Sequence, residues 1–418
     1  MSDTQPTSVP QNDELFIARQ PIFDRDKNIW AYALAFQGAP ESFSPLETNA
    51  STLDKIVSAG SEIMPPDSRA SKALIPLCCD VLQACSQAHL LNGSHIVLLT
   101  APATDPSAIS PVATAIRKNG SWVALDSSME PESFESLIQH VDILAMSMKN
   151  NSPSDVIAFK KRMKGFTGQL LITDVETWED YQGTRALGFS FFQGAFFTRP
   201  FSLTEQTLNK ASIAKIGLLR ELNSTEIDMN RLADVIATDV SLSYRLLRYI
   251  NSAAFGLAHR IKSIQQAVSL LGITEIRRWA MVVAMTDMDN TPKGEELAYM
   301  ALQRARFLEQ MATTLHGVKR PADQFFLLGL FSRLDALMGH DMDATLKDIP
   351  LDTDIREALC GKRGNDLGDA LDMLDAVEKA DWENANKLLL KYQACFTEAA
   401  TQYLKASTWA SRQMTDMG

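Results

Sequence analysis

Short apolar runs alternate with amphipathic stretches along the first half of the chain, from Leu15 to Thr198. The eight runs are LFIARQPIF, IWAYALAF, KALIPL, HIVLLTA, SWVALD, DILAMSM, QLLITDV and FSFFQGAFF, and helical patterns such as SPSDVIAFKKRMKGF lie between most of them. Near-continuous apolar strands separated by helices indicate a parallel sheet covered on both faces. The turn DRDKN joins the first two runs and is too short for a parallel crossover, so one strand should run antiparallel. The predicted fold is α/β, a modified TIM-type (β/α) barrel with one antiparallel strand.

After Pro200 the strand pattern gives way to apolar spacings of three and four residues, which predict an all-helical bundle. Its first helix starts near Leu203 and lacks the glycine and serine content of a flexible tether, so we expect it to join the two halves rigidly. The segment DQFFLLGLFSRLDALMG is predicted as one helix. The predicted domains are a disordered tail over 1–13, a barrel over 14–203, a linker helix over 204–225 and a helical domain over 226–418.

Composition and charge limit the classes of function. The chain has 418 residues, 45% of them hydrophobic and 22% charged, which is typical of a folded protein with more than one core. The net charge of -11 opposes attraction to phosphate backbones. The opening MSDTQPTSVPQNDE has no basic start and no apolar segment, so it does not resemble a signal peptide, and no apolar run approaches the ~20 residues of a membrane helix. Five cysteines without CxxC pairs predict reduced, buried thiols in a cytoplasmic protein.

Polar residues near the carboxyl ends of the predicted strands are candidates for a site, because barrels of this kind carry their chemistry there. A Mg²⁺ or Mn²⁺ site for phosphoester hydrolysis needs several convergent oxygen ligands, and the carboxylates here are few. Gln193 stands out among the five phenylalanines of ALGFSFFQGAFFTRP. Its amide either bonds to a neighbouring strand or loop, which we favour, or faces a ligand groove. The candidate residues are Arg19, Gln20, Asp126, Asp174, Glu176, Gln193 and Arg199.

The ordered motifs ARQPIFDRDKNIWAYALAF, VALD, VDILAMSM, DVET and ALGFSFFQGAFFTRP resemble the EAL domain of cyclic di-GMP phosphodiesterases over roughly residues 14–203. The resemblance implies that Gln20 and Gln193 line the ligand groove, and Arg19 is a group able to stack on a base or meet a phosphate.

Several positions that the resemblance implies are catalytic carry other residues in this chain. The glutamate of the naming motif is replaced by Ala33, the catalytic lysine by Ala145, and the first glutamate of the late acidic motif by Thr173, while Glu176 matches the second. The second of two paired aspartates is Ser127, after Asp126, and the glutamate expected in HIVLLTA is absent. We therefore predict no catalysis, no metal and no cofactor. The alternative is that Asp126, Asp174 and Glu176 rebuild a metal site.

The helical half resembles an HDOD domain, a relative of the metal-dependent HD phosphohydrolases that lacks their metal ligands. NSAAFG at 251–256 followed by IKSIQQAVSLLG carries this resemblance, and the order of barrel then bundle resembles the EAL-HDOD signalling proteins. The HD pair of the enzymes corresponds to Ser332 and Arg333. The literal pair His340 and Asp341 follows Gly339, a predicted helix C-cap, so we place it in a loop where His340 interacts with backbone carbonyls.

Positive charges gather in YRLLRY, HRIK, EIRRW and QRARF, where interleaved aromatic residues raise nucleic-acid binding as an alternative. We favour solvated helix faces and intramolecular ion pairs, and we expect neither nucleic acid nor membrane as a partner. The function implied is that of a bacterial signalling protein, non-catalytic, that contacts unidentified signalling proteins in cyclic di-GMP-linked control of motility or biofilm. The alternatives are a cyclic di-GMP receptor and a residual phosphodiesterase. Homodimerisation is common in families that resemble this chain, but no residue here establishes it.

Overall fold

The computed structural model of the protein describes residues 15–37, 50–64, 72–78, 91, 93–100, 106–201, 210–224, 226–252, 255 and 259–417. The predicted tail over 1–13 lies outside these ranges, as do Cys79 and Cys85 and three residues of the NSAAFG segment. Among the described helices, none is long and apolar enough to cross a membrane.

Eight strands close into a barrel in chain order, which confirms the predicted α/β barrel. β1 is antiparallel to both of its neighbours and the remaining pairs are parallel, as the short first turn predicts. In that turn, the Asp24 carboxylate accepts the backbone N–H groups of Asp26 and Asn28 at 2.8 and 2.9 Å. The strands are β1 (Phe16–Phe23), β2 (Ile29–Gln37), β3 (Ala73–Leu77), β4 (His95–Leu99), β5 (Trp122–Asp126), β6 (Ile143–Ser147), β7 (Gln169–Thr173) and β8 (Phe191–Gln193).

The barrel interior is filled by side chains. Ala33, Ala145 and nine other buried apolar residues form one cluster inside the strands. Trp30 stacks on Phe191 with ring centroids 3.7 Å apart and lies 5.6 Å from Trp122. All three lie at or next to the first residue of their strands, so they close the end of the barrel opposite the carboxyl ends. The barrel is therefore a packed core, with room for chemistry only at its mouth.

Helices cover the outside of the barrel and build the second half of the chain. Among the described residues, the barrel helices are α1 (Ala50–Ile63), α2 (Pro106–Lys118), α3 (Pro131–Leu137), α4 (Pro153–Arg162) and α5 (Trp178–Ala186). The helical half contains α6 (Lys210–Leu222), α7 (Met229–Thr238), α8 (Val240–Ile250), α9 (Ile264–Leu271), α10 (Ile273–Thr286), α11 (Pro292–Met311), α12 (Ala322–Phe331), α13 (Leu334–Met338), α14 (Met342–Leu346), α15 (Thr353–Leu359), α16 (Asp366–Glu378), α17 (Trp382–Lys391) and α18 (Phe396–Met417).

Three sequence-based expectations need correction. FSFFQGAFF is a strand only over Phe191–Gln193, because Gly194 takes a φ of 149° and the chain turns into a 3₁₀ helix over Ala195–Thr198. DQFFLLGLFSRLDALMG forms two helices, since the chain breaks between Phe331 and Leu334. The cysteines that the structure describes are not buried: Cys78 is half-buried, and Cys360 and Cys395 are exposed.

The two halves share an apolar interface. Phe16 on β1 is almost fully buried and contacts rings from α17 and α18, with centroid distances of 5.3 Å to Trp382, 5.6 Å to Phe396 and 5.3 Å to Tyr403. Burying side chains of this size provides several kcal/mol of apolar transfer energy, at about 25 cal/mol per Å². The helical half is thus seated on the side of the barrel where β1 lies.

Candidate functional site

Arg19 is held by a buried ion pair that crosses the domain interface. Its Nη2 lies 3.0 Å from Oε2 of Glu296 on α11, and both side chains are under 5% exposed. Its Nη1 donates to the carbonyl of Ile63 at 2.9 Å, and its guanidinium stacks over the ring of Tyr299 at 3.6 Å. Burial opposes the charge of Arg19, but Glu296 more than offsets this and the pKa of Arg19 is raised. Arg19, predicted to meet a base or a phosphate, is instead committed to the helical half.

Tyr32 completes this buried pair from β2. Its hydroxyl donates to Oε2 of Glu296 at 2.7 Å, and Arg19 lies 4.4 Å from the centre of its ring. Burial raises the pKa of Tyr32 well above its ordinary value, and the charge of Glu296 raises it further. Glu296 therefore receives hydrogen bonds from two barrel strands.

Gln193 belongs to a relay of amides. Its Nε2 donates to Oε1 of Gln20 on the neighbouring β1, and the Nε2 of Gln20 donates to the backbone carbonyl of Glu378 at 2.7 Å. Glu378 is the last residue of α16, where carbonyls lack helical partners. The amide of Gln193 thus finds its partner on a neighbouring strand, and the relay ends on the helical half.

Gly194 follows Gln193 because the backbone has no room for a side chain there. A Cβ at this position would come within 2.2 Å of the Val175 carbonyl oxygen, and the φ of 149° favours glycine. The N–H of Val175 donates to the carbonyl of Gln193 at 3.0 Å, and the Val175 carbonyl accepts from Phe196 at 3.0 Å. The Gln-Gly pair is thereby explained by side-chain pairing and by a close backbone approach.

The remaining acidic candidates at the mouth are also engaged. Glu176 accepts from Lys379 at 3.2 Å and lies 3.9 Å from a guanidinium nitrogen of Arg199. The Asp174 carboxylate accepts a hydrogen bond from the Ser147 hydroxyl. The backbone of Asp174 is in the left-handed region, with a φ of 57°. Lys379 comes from the helical half, directly after α16.

Asp126 is separate from the other candidates. It ends β5, and its carboxylate accepts the N–H of Ser128 at 2.8 Å, which is a local turn. It does not line the cavity in which the other six candidates are found. The structure therefore brings together Arg19, Gln20, Asp174, Glu176, Gln193 and Arg199, and it leaves Asp126 outside.

A cavity of about 290 Å³ lies between the barrel mouth and the helical half. The helical half contributes Met300, Arg333, Asp335, Asp375, Glu378 and Lys379 to its lining. Burial raises the pKa of Asp335, which lies here on α13. The walls carry both carboxylates and cations, so the cavity lacks the uniform charge that would select an anion. No group of three or more His, Cys, Asp or Glu positioned to hold a metal ion occurs among the residues that the structure describes.

A charged cluster surrounds Ser332 and Arg333, the two positions that the sequence resemblance aligns with the HD pair. Arg304 is 1% exposed, and its Nε and Nη2 each donate to Glu378 at 2.6 Å, while Nη1 donates to the Ser332 hydroxyl at 3.2 Å. Arg333 bonds to Asp375 at 3.0 Å and to Glu378 at 2.9 Å. Burial raises the pKa of Asp375, but the two guanidinium groups outweigh it and hold that pKa well below its usual range. Two arginine side chains therefore already neutralise the carboxylates of Asp375 and Glu378.

The literal HD pair is placed as predicted. Gly339 ends α13 in the left-handed conformation with a φ of 70°, and His340 follows in the loop. The backbone N–H of His340 donates to the carbonyl of Asp335 at 3.2 Å. Asp341 caps α14, its carboxylate accepting the N–H of Asp343 at 2.9 Å. The pair therefore lies at the junction of two helices, where Asp341 caps the second one.

Several arginines in the basic segments of the helical half form ion pairs within the chain. Arg245 binds Asp287 at 2.7 Å, and Arg278 and Arg306 both bind Glu309, at 2.6 and 2.7 Å. These pairs match the favoured hypothesis for the arginines of YRLLRY, EIRRW and QRARF.

Sequence reasoning missed every residue that the helical half contributes to the barrel mouth. Glu296, Glu378 and Lys379 lie far from the barrel along the chain, and the Arg19–Glu296 contact spans 277 residues. A charged residue on the buried face of an apolar helix is the signal that could have identified Glu296.

Comparisons with known proteins agree with this architecture. Residues 213–345 match the HDOD domain family. The Bacillus subtilis protein called uncharacterized protein YuxH is 27% identical over 413 residues, covering 96% of this chain and 99% of that protein. A Vibrio cholerae protein named cyclic di-GMP phosphodiesterase CdgJ is 27% identical over 403 residues, covering 94% of this chain and 92% of that protein. Both similarities therefore span the barrel and the helical half.

Solved structures matched by this chain include EAL domains. The match to an EAL domain protein from Listeria monocytogenes covers 45% of this chain and 88% of that chain, at 15% identity and a TM-score of 0.38. The match to the Bacillus subtilis YkuI protein, solved with cyclic di-GMP and calcium, covers 56% of this chain and 77% of that chain, at 13% identity and a TM-score of 0.37. The HDOD match begins inside α6, the helix predicted as a linker, and the domain boundaries stay a prediction. The chain thus combines a helical half that matches the HDOD domain family with a closed eight-stranded barrel.

Proposed function

We propose that this protein is a non-catalytic cytoplasmic signalling protein, acting through contacts with other proteins in cyclic di-GMP-linked control of motility or biofilm. The observation that carries the proposal is the engagement of the barrel mouth by the helical half. Arg19, Gln20 and Glu176 each bond to a residue of that half. A mouth whose polar groups are used in this way serves to hold two domains together.

The chemistry of the mouth supports the same proposal. Hydrolysis of a phosphodiester through a metal-bound hydroxide needs convergent oxygen ligands and a group that positions the water. Ala33 and Ala145 are apolar and buried in the barrel interior, and Asp126 accepts a local backbone N–H. The carboxylates of Asp174 and Glu176 are already paired with a hydroxyl and with cations.

Residual phosphodiesterase activity is the competing function, because the Vibrio cholerae relative is named as such an enzyme. The test is incubation of the pure full-length protein with cyclic di-GMP and Mn²⁺, followed by chromatography for the linear dinucleotide. We expect no product above the protein-free blank. Turnover that Asp126→Ala abolishes, and that Asp234→Ala on the exposed side of α7 leaves unchanged, would overturn the proposal.

A cyclic di-GMP receptor is the second candidate, favoured by Gln20 and Gln193, which line the cavity. The cavity of about 290 Å³ is at the lower limit of pockets that hold small molecules, so binding a dinucleotide there would require the helical half to move. Calorimetric titration distinguishes the two functions: saturable heat that Gln193→Ala weakens supports a receptor, and flat titrations at high ligand concentration count against it.

A further inference from the structure

An exposed apolar surface on α8 and α9 takes no part in the site at the barrel mouth. Val240 and Tyr244 are 83% and 65% exposed and lie four residues apart on α8, so they share one face of the helix. Leu270 is 51% exposed on α9, which packs against α8. Large apolar side chains this exposed, grouped on two adjacent helices, indicate a contact surface.

The charge of this surface contrasts with that of the whole chain. Residues 240–274 contain no aspartate and no glutamate, in a protein with a net charge of -11. Arg248 continues the face of α8 one turn after Tyr244 and is exposed. Asp239, just before this stretch, is used as the α8 cap and accepts the N–H groups of Ser241 and Leu242.

A clamp at the end of α8 brings further positive charges beside it. The side chain of Asn251 donates to the carbonyl of Ile261 at 2.9 Å and accepts the Ile261 N–H at 2.8 Å. Arg260 and Lys262 flank Ile261 and are exposed. We define the α8–α9 surface as Val240, Tyr244, Arg248, Arg260, Lys262 and Leu270.

The chemistry of this surface determines which partner fits it. Tyr244 is the one aromatic ring among the six residues of this surface, and Val240 and Leu270 are aliphatic, so the surface lacks a row of rings on which successive bases could stack. Single-stranded nucleic acid is therefore a poor fit, because its binding relies on aromatic stacking along a cationic groove. An acidic protein segment with apolar side chains satisfies both features of the surface.

A second copy of this chain fits less well. Several carboxylates of its acidic stretch after Asp341 are paired with its own cations: Asp354 and Asp366 bind Arg320, and Asp372 binds Arg363. These carboxylates would have to break existing ion pairs before they could meet the α8–α9 surface.

We propose that the α8–α9 surface docks a segment of another protein in which apolar side chains are flanked by Asp and Glu. This inference rests on the proposed function, since it names the chemistry of the partner through which the protein acts. If the protein hydrolysed cyclic di-GMP, the proposed function would be wrong, but the docking experiment below would still give its own answer. The failure of one proposal can therefore be told apart from the failure of the other.

The test is photo-crosslinking in the native host with Tyr244→p-benzoylphenylalanine in the full-length chain, followed by mass spectrometry of the crosslinked peptides. We expect a peptide of net negative charge from another protein. The same probe in a chain with Arg248→Glu and Lys262→Glu should lose at least about tenfold of this crosslink, because like charges then face each other. Arg248 and Lys262 are exposed, so we expect their substitution to leave the thermal unfolding midpoint unchanged. Measuring this midpoint checks that the doubly substituted chain is folded.

Leu390 on α17 provides the matched control, because it is 66% exposed and lies on a different helix. Its substitution by the same probe should not give the acidic crosslink. Four results would overturn the proposal: crosslinks from position 244 to nucleic acid or lipid, crosslinks to a second copy of this chain, an acidic crosslink that survives the charge reversal, or no crosslink at all.

Discussion

Arg19 on the barrel and Glu296 on the helical half form a buried ion pair with 3.0 Å between Nη2 and Oε2, across 277 residues of chain. Both groups lose almost all contact with water, which costs several kcal/mol for each charge. The bonds to Tyr32 and to the Ile63 carbonyl compensate part of this cost. The pair therefore fixes how the two halves meet more than it adds to stability.

Breaking this pair from one side should be costly. We expect Arg19→Met to lower the free energy of unfolding by roughly 3–5 kcal/mol, because Glu296 is left charged and buried without its partner. Urea denaturation followed by circular dichroism measures this. The double variant Arg19→Met with Glu296→Leu should recover most of the loss. Arg231→Ala, which removes an exposed ion pair with Glu221, should change little, and an equal effect of Arg19→Met and Arg231→Ala would contradict the argument.

Gly194 should tolerate no side chain. We expect Gly194→Ala to destabilise the protein by at least about 2 kcal/mol, since the new Cβ meets the backbone of Val175 and the backbone conformation is unfavourable for alanine. Gly183 in α5 is the matched control, because a Cβ added there would meet no atom within 4 Å beyond the backbone of its own helix. Gly183→Ala should raise stability by roughly 0.5–1 kcal/mol, because alanine favours the helix. Thermal unfolding of the two variants measures both, and equal midpoints would refute the prediction.

Alkaline pH should weaken the fold. Burial raises the pKa of Tyr32, Tyr299 and Tyr403 in the folded state, whereas tyrosines of an unfolded chain ionise near pH 10. Since the folded pKa is the higher one, the stabilisation is fully present below about pH 10 and is lost as the pH rises further. Urea midpoints across this range should fall with pH. Tyr32→Phe should reduce the slope, whereas the exposed Tyr244→Phe should leave it unchanged.

Restoring an HD pair should not restore a metal site. We expect Ser332→His with Arg333→Asp to destabilise the protein by about 2 kcal/mol or more, because Asp375 and Glu378 lose a cation and gain a nearby carboxylate. Calorimetric titration with Mn²⁺ should show no saturable binding, since the Arg304 guanidinium still fills the space between these carboxylates. A stoichiometric Mn²⁺ site in this variant would show that the cluster is not what excludes the ion.

The barrel and the bundle follow from local patterns. The eight apolar runs became the eight strands, and the short DRDKN turn is enough to require an antiparallel strand, because no crossover fits within it. Lengths were less predictable. The phenylalanines around Gln193 are all buried, yet only Phe191 and Phe192 lie in a strand, since burial alone does not distinguish a strand from a 3₁₀ turn.

The candidate site was predictable only on its barrel side. Gln20 and Gln193 stand out in the sequence because they are amides in apolar strands, and the structure joins them. Their partner, the carbonyl of Glu378, has no sequence signal, because any residue at the end of α16 would present the same group. Pairings between domains depend on docking geometry, which periodicity does not encode.

The Gln20 contact also bears on how such two-part chains can be recombined. Because its acceptor is a main-chain oxygen, that contact would survive replacement of Glu378 by another side chain, provided the helix still ends at the same place. The Arg19–Glu296 contact joins two side chains, so it is lost when either residue is replaced. Chimeras that graft a barrel from one homologue onto the bundle of another should therefore assemble only when the barrel parent has an arginine at the position of Arg19 and the bundle parent has a glutamate at the position of Glu296.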